Sequence, residues 1–213
     1  MLSIYDLLIQ DSYPQLTDVS LRLYCEFARA FLVNRRFIYD FFDGDTIIVE
    51  FKEYGIHHML GIHHIDRSID KNKFFQTVDS GLDLSAFEIN YRINQRFKDN
   101  KPRIRMFSCI YRTLLLGEFF YCPSETVKNT DNVKMDYIIY RKISNKGCNI
   151  GLRKTREDQT YIPLTLLVAR QVDPELYIDR SKIKIVKRMR IEDMNTGVTI
   201  ENIVHGDDYI TFL

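Results

Sequence analysis

Four of the five histidines fall within eight residues, His57, His58, His63 and His64, arranged around Gly61 in the run Ile56-His57-His58-Met59-Leu60-Gly61-Ile62-His63-His64. Imidazole titrates near neutrality, so a pair held together can take a proton from one atom and give one to another. The spacing constrains how such a pair could form. His58 and His63 are five apart and would diverge on one helix or on one strand. Serving one site therefore requires a turn between them, and Gly61 can adopt the positive φ that a sharp reversal needs. His57 and His64 read as structural neighbours of that pair.

The elements that must position these groups are legible from periodicity. Leu16, Val19, Leu23, Phe27, Ala30 and Phe31 recur at helical spacing, and Thr17 or Asp18 could cap a helix reaching Arg36. Residues 37–42 and 46–52 are extended and aromatic or β-branched, and Asp43-Gly44-Asp45 between them signals a hairpin leading into the histidines. A short helix is expected over 70–80, ended by Gly81. Ser85-Ala86-Phe87-Glu88 has the capping-box pattern and should open a helix to Lys98, and Pro102 should start another that ends at Gly117. From Phe119 onward strands dominate: residues 135–143, 149–155, 159–168 and 182–191, then a terminal hairpin from 199–204 and 209–213. The expectation is an α+β fold, with N-terminal and central helices packed on a C-terminal antiparallel sheet. Its divisions are a helical extension over 1–36, a main domain over 37–191 and a C-terminal hairpin extension over 192–213.

Strand alternation adds a second set of polar groups. Ile150 and Leu152 share one face, which leaves Gly151, Arg153 and Thr155 on the other. Ile162, Leu164, Leu166 and Val168 form an apolar face, with Thr165 opposite. If both apolar faces cover one core, Arg153 and Thr165 emerge together. A guanidinium grips phosphate oxygens in a bidentate fork, a threonine hydroxyl adds a hydrogen bond, and Gly151 leaves room for a substrate backbone. Lys154 points the other way and ranks below Arg153.

The segment over 51–64 resembles the H-x-x-G-x-H signature of the phage and mobile-element branch of the Barnase–EndoU–colicin–RelE ribonuclease-like domains. Here it reads His58-Met59-Leu60-Gly61-Ile62-His63, with His64 where a lysine is commoner. The resemblance continues through Tyr137-Ile138-Ile139-Tyr140-Arg141-Lys142, Gly151-Leu152-Arg153-Lys154 and Ile162-Pro163-Leu164-Thr165, over about residues 40–190. It implies a toxin-type endoribonuclease of a bacterium or its phage. RNA is then the substrate, no cofactor is needed, and a cognate antitoxin or immunity protein is the expected partner.

Metal-independent cleavage of RNA fits these groups chemically. The neighbouring 2′-hydroxyl attacks phosphorus, so the protein supplies a base, an acid and a cation for the developing charge rather than a nucleophile. His58 and His63 suit the first two tasks, Arg153 the third, and Thr165 orientation. Tyr137 could stack on a base, and Lys154, Lys182, Lys184 and Arg188 could follow the phosphate backbone. The alternative is a catalytically inactive relative that binds RNA or a protein partner through the same groove. A zinc site is disfavoured by the spacing, which lacks His-x-x-x-His and any neighbouring cysteine or acidic ligand pair, so no metal is assigned.

Composition sets outer bounds. The chain has 213 residues with 45% hydrophobic and 28% charged, enough to bury a core and too apolar for global disorder. The four cysteines form no C-x-x-C pair and no leader-like apolar run opens the chain, so a reducing cytoplasm is expected. No run could span a bilayer. The net charge of +1 is uninformative, but Lys182, Lys184, Lys187, Arg188 and Arg190 occur with no acid among them. That stripe reads either as a phosphate track or as a solvated edge strand.

Overall fold

The computed structural model describes residues 1–122, 134–156 and 160–204. It is a mixed α+β fold around one large sheet. The elements in order are α1 (Asp6–Ile9), α2 (Leu21–Phe31), β1 (Arg35–Phe41), β2 (Thr46–Glu50), α3 (Glu53–Met59), α4 (Ile62–Ile65), α5 (Phe74–Asp79), α6 (Ala86–Ile89), α7 (Tyr91–Phe107) and α8 (Ile110–Leu116). There follow β3 (Glu118–Tyr121), β4 (Tyr137–Ile143), β5 (Lys146–Lys154), β6 (Tyr161–Ala169), β7 (Ile183–Lys184), β8 (Val186–Asp193) and β9 (Thr199–Val204).

The strand order is β7-β3-β4-β5-β6-β2-β1-β8-β9. All pairings are antiparallel except β2 with β6, which meet in parallel at Val49 and Tyr161. β7 stands at one end of this order and β8 next to the other end, yet only Ile185 separates them in the chain. The sheet must therefore curl back on itself. The Phe42 N–H donates to the Ile185 carbonyl (3.1 Å), and Lys184 reaches Asp43 and Asp45 in the β1–β2 turn. Both contacts hold the curl closed. Right-handed strand twist, summed over nine strands, makes such a curl the low-strain outcome.

Two of the central strands, β1 and β2, precede most of the helices, so the sheet is not confined to the C-terminal half. The main core cluster joins Leu7, Leu21, Tyr24 and Phe27 to Phe37, Tyr39 and Val49 of the sheet and to Ile56, Ile62, Phe97, Ile104 and Phe107. Residues before 37 thus share this core. A buried phenol on each side ties elements together: Tyr24 donates to the Ile104 carbonyl (2.8 Å) and Tyr39 to the Leu114 carbonyl (3.0 Å). β9 extends the same sheet through β8, and the second strand expected at 209–213 lies outside the described residues.

Several boundaries differ from expectation for local reasons. The first long helix starts later, because Ser20 rather than Thr17 or Asp18 caps it, accepting from the Leu23 N–H at 3.1 Å. It stops at Phe31, since Arg35 already belongs to β1. Ser85 makes no cap. The chain breaks after the single turn of α6, and the Asn90 side chain caps α7 by accepting from Arg92 and Ile93. Pro102 lies inside α7 and removes one interior N–H. Buried Phe97, Ile104 and Phe107 on either side keep the helix running through it.

Candidate active site

The histidines sit on two short helices. α3 carries His57 and His58, α4 carries His63 and His64, and Gly61 joins them in the left-handed conformation, φ 72° and ψ 21°. Ile56, Met59, Leu60, Ile62 and Ile65 are fully buried, so apolar anchors on both helices fix where the imidazoles point. The reversal brings His58 and His63 to a ring-centroid distance of 4.5 Å with planes at 58°. His64 lies 3.9 Å from His63, and His57 lies 5.6 Å from His58 and 5.9 Å from His63. Gly61 also permits a close approach: a Cβ there would fall 2.6 Å from Asn100 Oδ1 and 3.0 Å from Arg103 Cδ and Nη1.

Burial dominates the electrostatics. His57 is 2% exposed and edge-on to Phe74 at 5.3 Å, with the Ile69 backbone as its weak hydrogen-bonding neighbour. Desolvation, helped by His58, lowers its pKa to about 4. His63 has a buried, unpartnered Nδ1 and is lowered to about 3 by desolvation and then by His64, His58 and Arg103. Desolvation is also the main cause for His58 and His64. Lys71 lowers His58 further, and Arg103, His58 and Arg67 lower His64. The cluster is therefore neutral at physiological pH, with one nitrogen of each ring free of a proton but only weakly basic. Nitrogens of His57, His58 and His63 all lie within 4.8 Å of one another, a spacing that could also hold a transition-metal ion.

The other expected residues stand outside the two histidine helices, most of them on strands. Arg153, paired with Ile162, is exposed near the end of β5. Thr165 is paired with Gly151, half-buried, on the face that carries the second cluster of Phe120, Met135, Ile138 and Tyr140. Arg153 shares that face with Thr165, as alternation requires. A bulge opposite Gly151 and Leu152 interrupts the apolar row of β6, so Ile162 does not share a face with Leu166. The space above Gly151 is filled by protein, since a Cβ there would meet Met135 Sδ at 2.2 Å. No substrate backbone can use it.

Tyr137 is 5% exposed and enclosed by Phe41, Tyr121 and Tyr161. Its ring is taken up by the core rather than offered to a base. Lys154 is exposed and its N–H donates to Asp136 (2.7 Å). Lys182 is exposed. Lys187 is exposed as well, while three cations of the stripe are paired with acids: Lys184 with Asp43 and Asp45, Arg188 with Asp40 (2.8 Å), and Arg190 with Asp40 and neighbouring Glu192 (both 3.5 Å). β8 is not an edge strand either, since β1 and β9 flank it.

The group that sequence reading missed is Arg103. It lies four residues before buried Phe107 on α7, so an arginine beside an apolar stripe was the available signal. Cysteine chemistry has no foothold, because burial pushes Cys25 and Cys148 up to about 12 and Cys109 and Cys122 to about 11. Among the described residues, no helix is long and apolar enough to cross a membrane.

Fold and cluster together define a mixed α+β domain with a histidine centre built on a helix reversal. The chain belongs to the family described as phage-Barnase-EndoU-ColicinE5/D-RelE like nuclease 4, whose model matches residues 25–202. The match takes in β1 to β8, most of β9 and both histidine helices. No curated protein and no solved structure matches the chain.

Proposed function

We propose that the chain is a metal-independent endoribonuclease of the toxin type, acting on cellular RNA by attack of the 2′-hydroxyl on the adjacent phosphorus. The observation that carries this reading is the reversal at Gly61, which brings His58 and His63 to 4.5 Å. One imidazole removes the 2′-hydroxyl proton as the 2′-oxygen bonds to phosphorus. The other delivers a proton to the departing 5′-oxygen, leaving a 2′,3′-cyclic phosphate and a free 5′-hydroxyl. Neutral imidazoles favour the first task. The second needs a protonated ring, and a bound phosphate supplies the negative charge that raises its pKa. Membership of a nuclease family supports the reaction class, and a cognate antitoxin or immunity protein is the partner such a toxin would require.

The test is cleavage of a defined RNA with chelator present. Products should carry cyclic phosphate ends, and the rate should follow a bell-shaped pH profile. His58→Ala and His63→Ala should each lower turnover by about a hundredfold or more with little change in RNA affinity. Activity lost in chelator and restored by zinc would replace this mechanism with a metal one at the same imidazoles. Absence of cleavage under every condition would leave the catalytically inactive RNA-binding relative.

A further inference from the structure

We propose that Arg103 is the phosphate-binding group of this centre, and that an anion docks against its Nη1 beside Gly61 and His63. Three observations meet at this point. Arg103 Nη1 is buried and unpartnered. It lies 3.0 Å from the position of a Gly61 Cβ, on the turn that joins the two histidine helices, so it stands beside their junction. The His63 Nδ1, also buried and unpartnered, belongs to a ring on which Arg103 acts electrostatically, as it does on His64.

A guanidinium withdrawn from water costs several kcal/mol unless an anion and hydrogen bonds offset it. Here Arg103 is half-buried, and its Nη1 is the nitrogen left buried without a partner. Among the described residues, Arg103 forms no ion pair, and the one ionisable group acting on it is the Tyr177 phenol. The surrounding groups are otherwise the imidazoles of His57, His58, His63 and His64, with Lys71 and Arg67 beyond, and Asp70 as the acid near His57. Elsewhere half-buried cations have acid partners: Lys52 reaches Glu50, Lys184 is held by two aspartates, and Arg190 is met by Asp40 and Glu192. An arginine left with its charge uncompensated, beside a donor-capable imidazole, is a receptor for an oxyanion.

The planar fork suits two oxygens of one phosphate. Identifying that phosphate as a phosphodiester of the nucleic-acid backbone rests on the nuclease reading above. The role given to Arg153 by strand alternation falls to a helical residue instead.

Isothermal titration of the whole protein with inorganic phosphate, and separately with an oligodeoxynucleotide that lacks the 2′-hydroxyl and cannot be cleaved, tests this at fixed ionic strength. Both should bind. Arg103→Met should weaken each by about tenfold or more, with Arg103→Lys between the two because it keeps the charge and loses the fork. Without phosphate, Arg103→Met should melt at or above the wild-type temperature, since it removes a charge that the fold leaves unpaired. A structural arginine would instead give a lower melting temperature and unchanged phosphate affinity, and that pattern overturns the proposal. Binding of inorganic phosphate but not of the oligonucleotide overturns the backbone assignment. If RNA is cut while Arg103→Met binds phosphate normally, only this inference fails. If phosphate binding depends on Arg103 and no RNA is ever cut, only the nuclease reading fails.

Discussion

The buried imidazole of His57 should make the protein lose stability as pH falls, by an amount the structure allows to be worked out. Its pKa is about 4 in the folded chain against 6.5 for the free side chain. Between those values the unfolded chain binds a proton that the folded chain refuses, so unfolding is favoured as pH drops through this window. The stability is complete above the unfolded value and is lost on descent toward the folded one. Taking 1.36 kcal/mol per pH unit, His57 alone should cost ~2 kcal/mol between about pH 7.5 and about pH 5. The comparison stays above the range in which the ion-paired carboxylates protonate. Urea unfolding of wild type and His57→Leu at both pH values provides the assay. Because the ring is buried edge-on against Phe74, leucine should be tolerated at the higher pH. The variant should lose about 2 kcal/mol less than wild type on acidification. Equal acid sensitivity in the two proteins would refute the reasoning.

Other outcomes can be checked alongside. Gly61→Ala combines a left-handed φ with a Cβ 2.6 Å from Asn100 Oδ1. It should cost about 1–3 kcal/mol by denaturation and reduce any cleavage activity, because both histidine helices hinge there. Lys184→Met should lower stability by about 1 kcal/mol, since it leaves Asp43 and Asp45 facing one another. Combined with Arg188→Met it should leave the salt dependence of RNA binding unchanged, and a flattened slope would show that these cations touch RNA after all. Glu50→Ala, which removes a 3% exposed carboxylate shared by Arg36 and Lys52, should cost about 3 kcal/mol in the same assay.

What the sequence makes legible here is mostly what is local. The turn at Gly61 follows from two histidines five residues apart and one glycine, and the β1–β2 hairpin follows from Asp43-Gly44-Asp45. Both are decided within a few residues. The misreadings arise where distant groups decide. Asn90 and Ser85 compete as caps within a few residues, and the winner depends on how Phe87 and Phe97 meet (5.6 Å between rings). Pro102 looks like a helix start until the burial of Ile104 and Phe107 carries the helix through it. The lysine and arginine stripe looks like a phosphate track because the aspartates that pair with Lys184, Arg188 and Arg190 lie on β1 and in the β1–β2 turn, far away in sequence. Arg103 draws its significance from Gly61, which periodicity cannot place beside it.

The closure of the sheet has a consequence for how the protein comes into being. β1 lies between β2 and β8, and its Asp40 is bonded to Arg188, 148 positions later. On a ribosome, the strand that should flank β1 is made long after it, and closing so long a loop carries a substantial entropic cost before any pairing rewards it. The histidine helices follow immediately from β2, so their support is incomplete until β8 arrives. Chains cut short before residue 186 should accumulate as species with a bare β1 edge, recognisable by protease sensitivity, rather than as a smaller working domain. A cell making this protein would meet its folded centre only once β8 had been made.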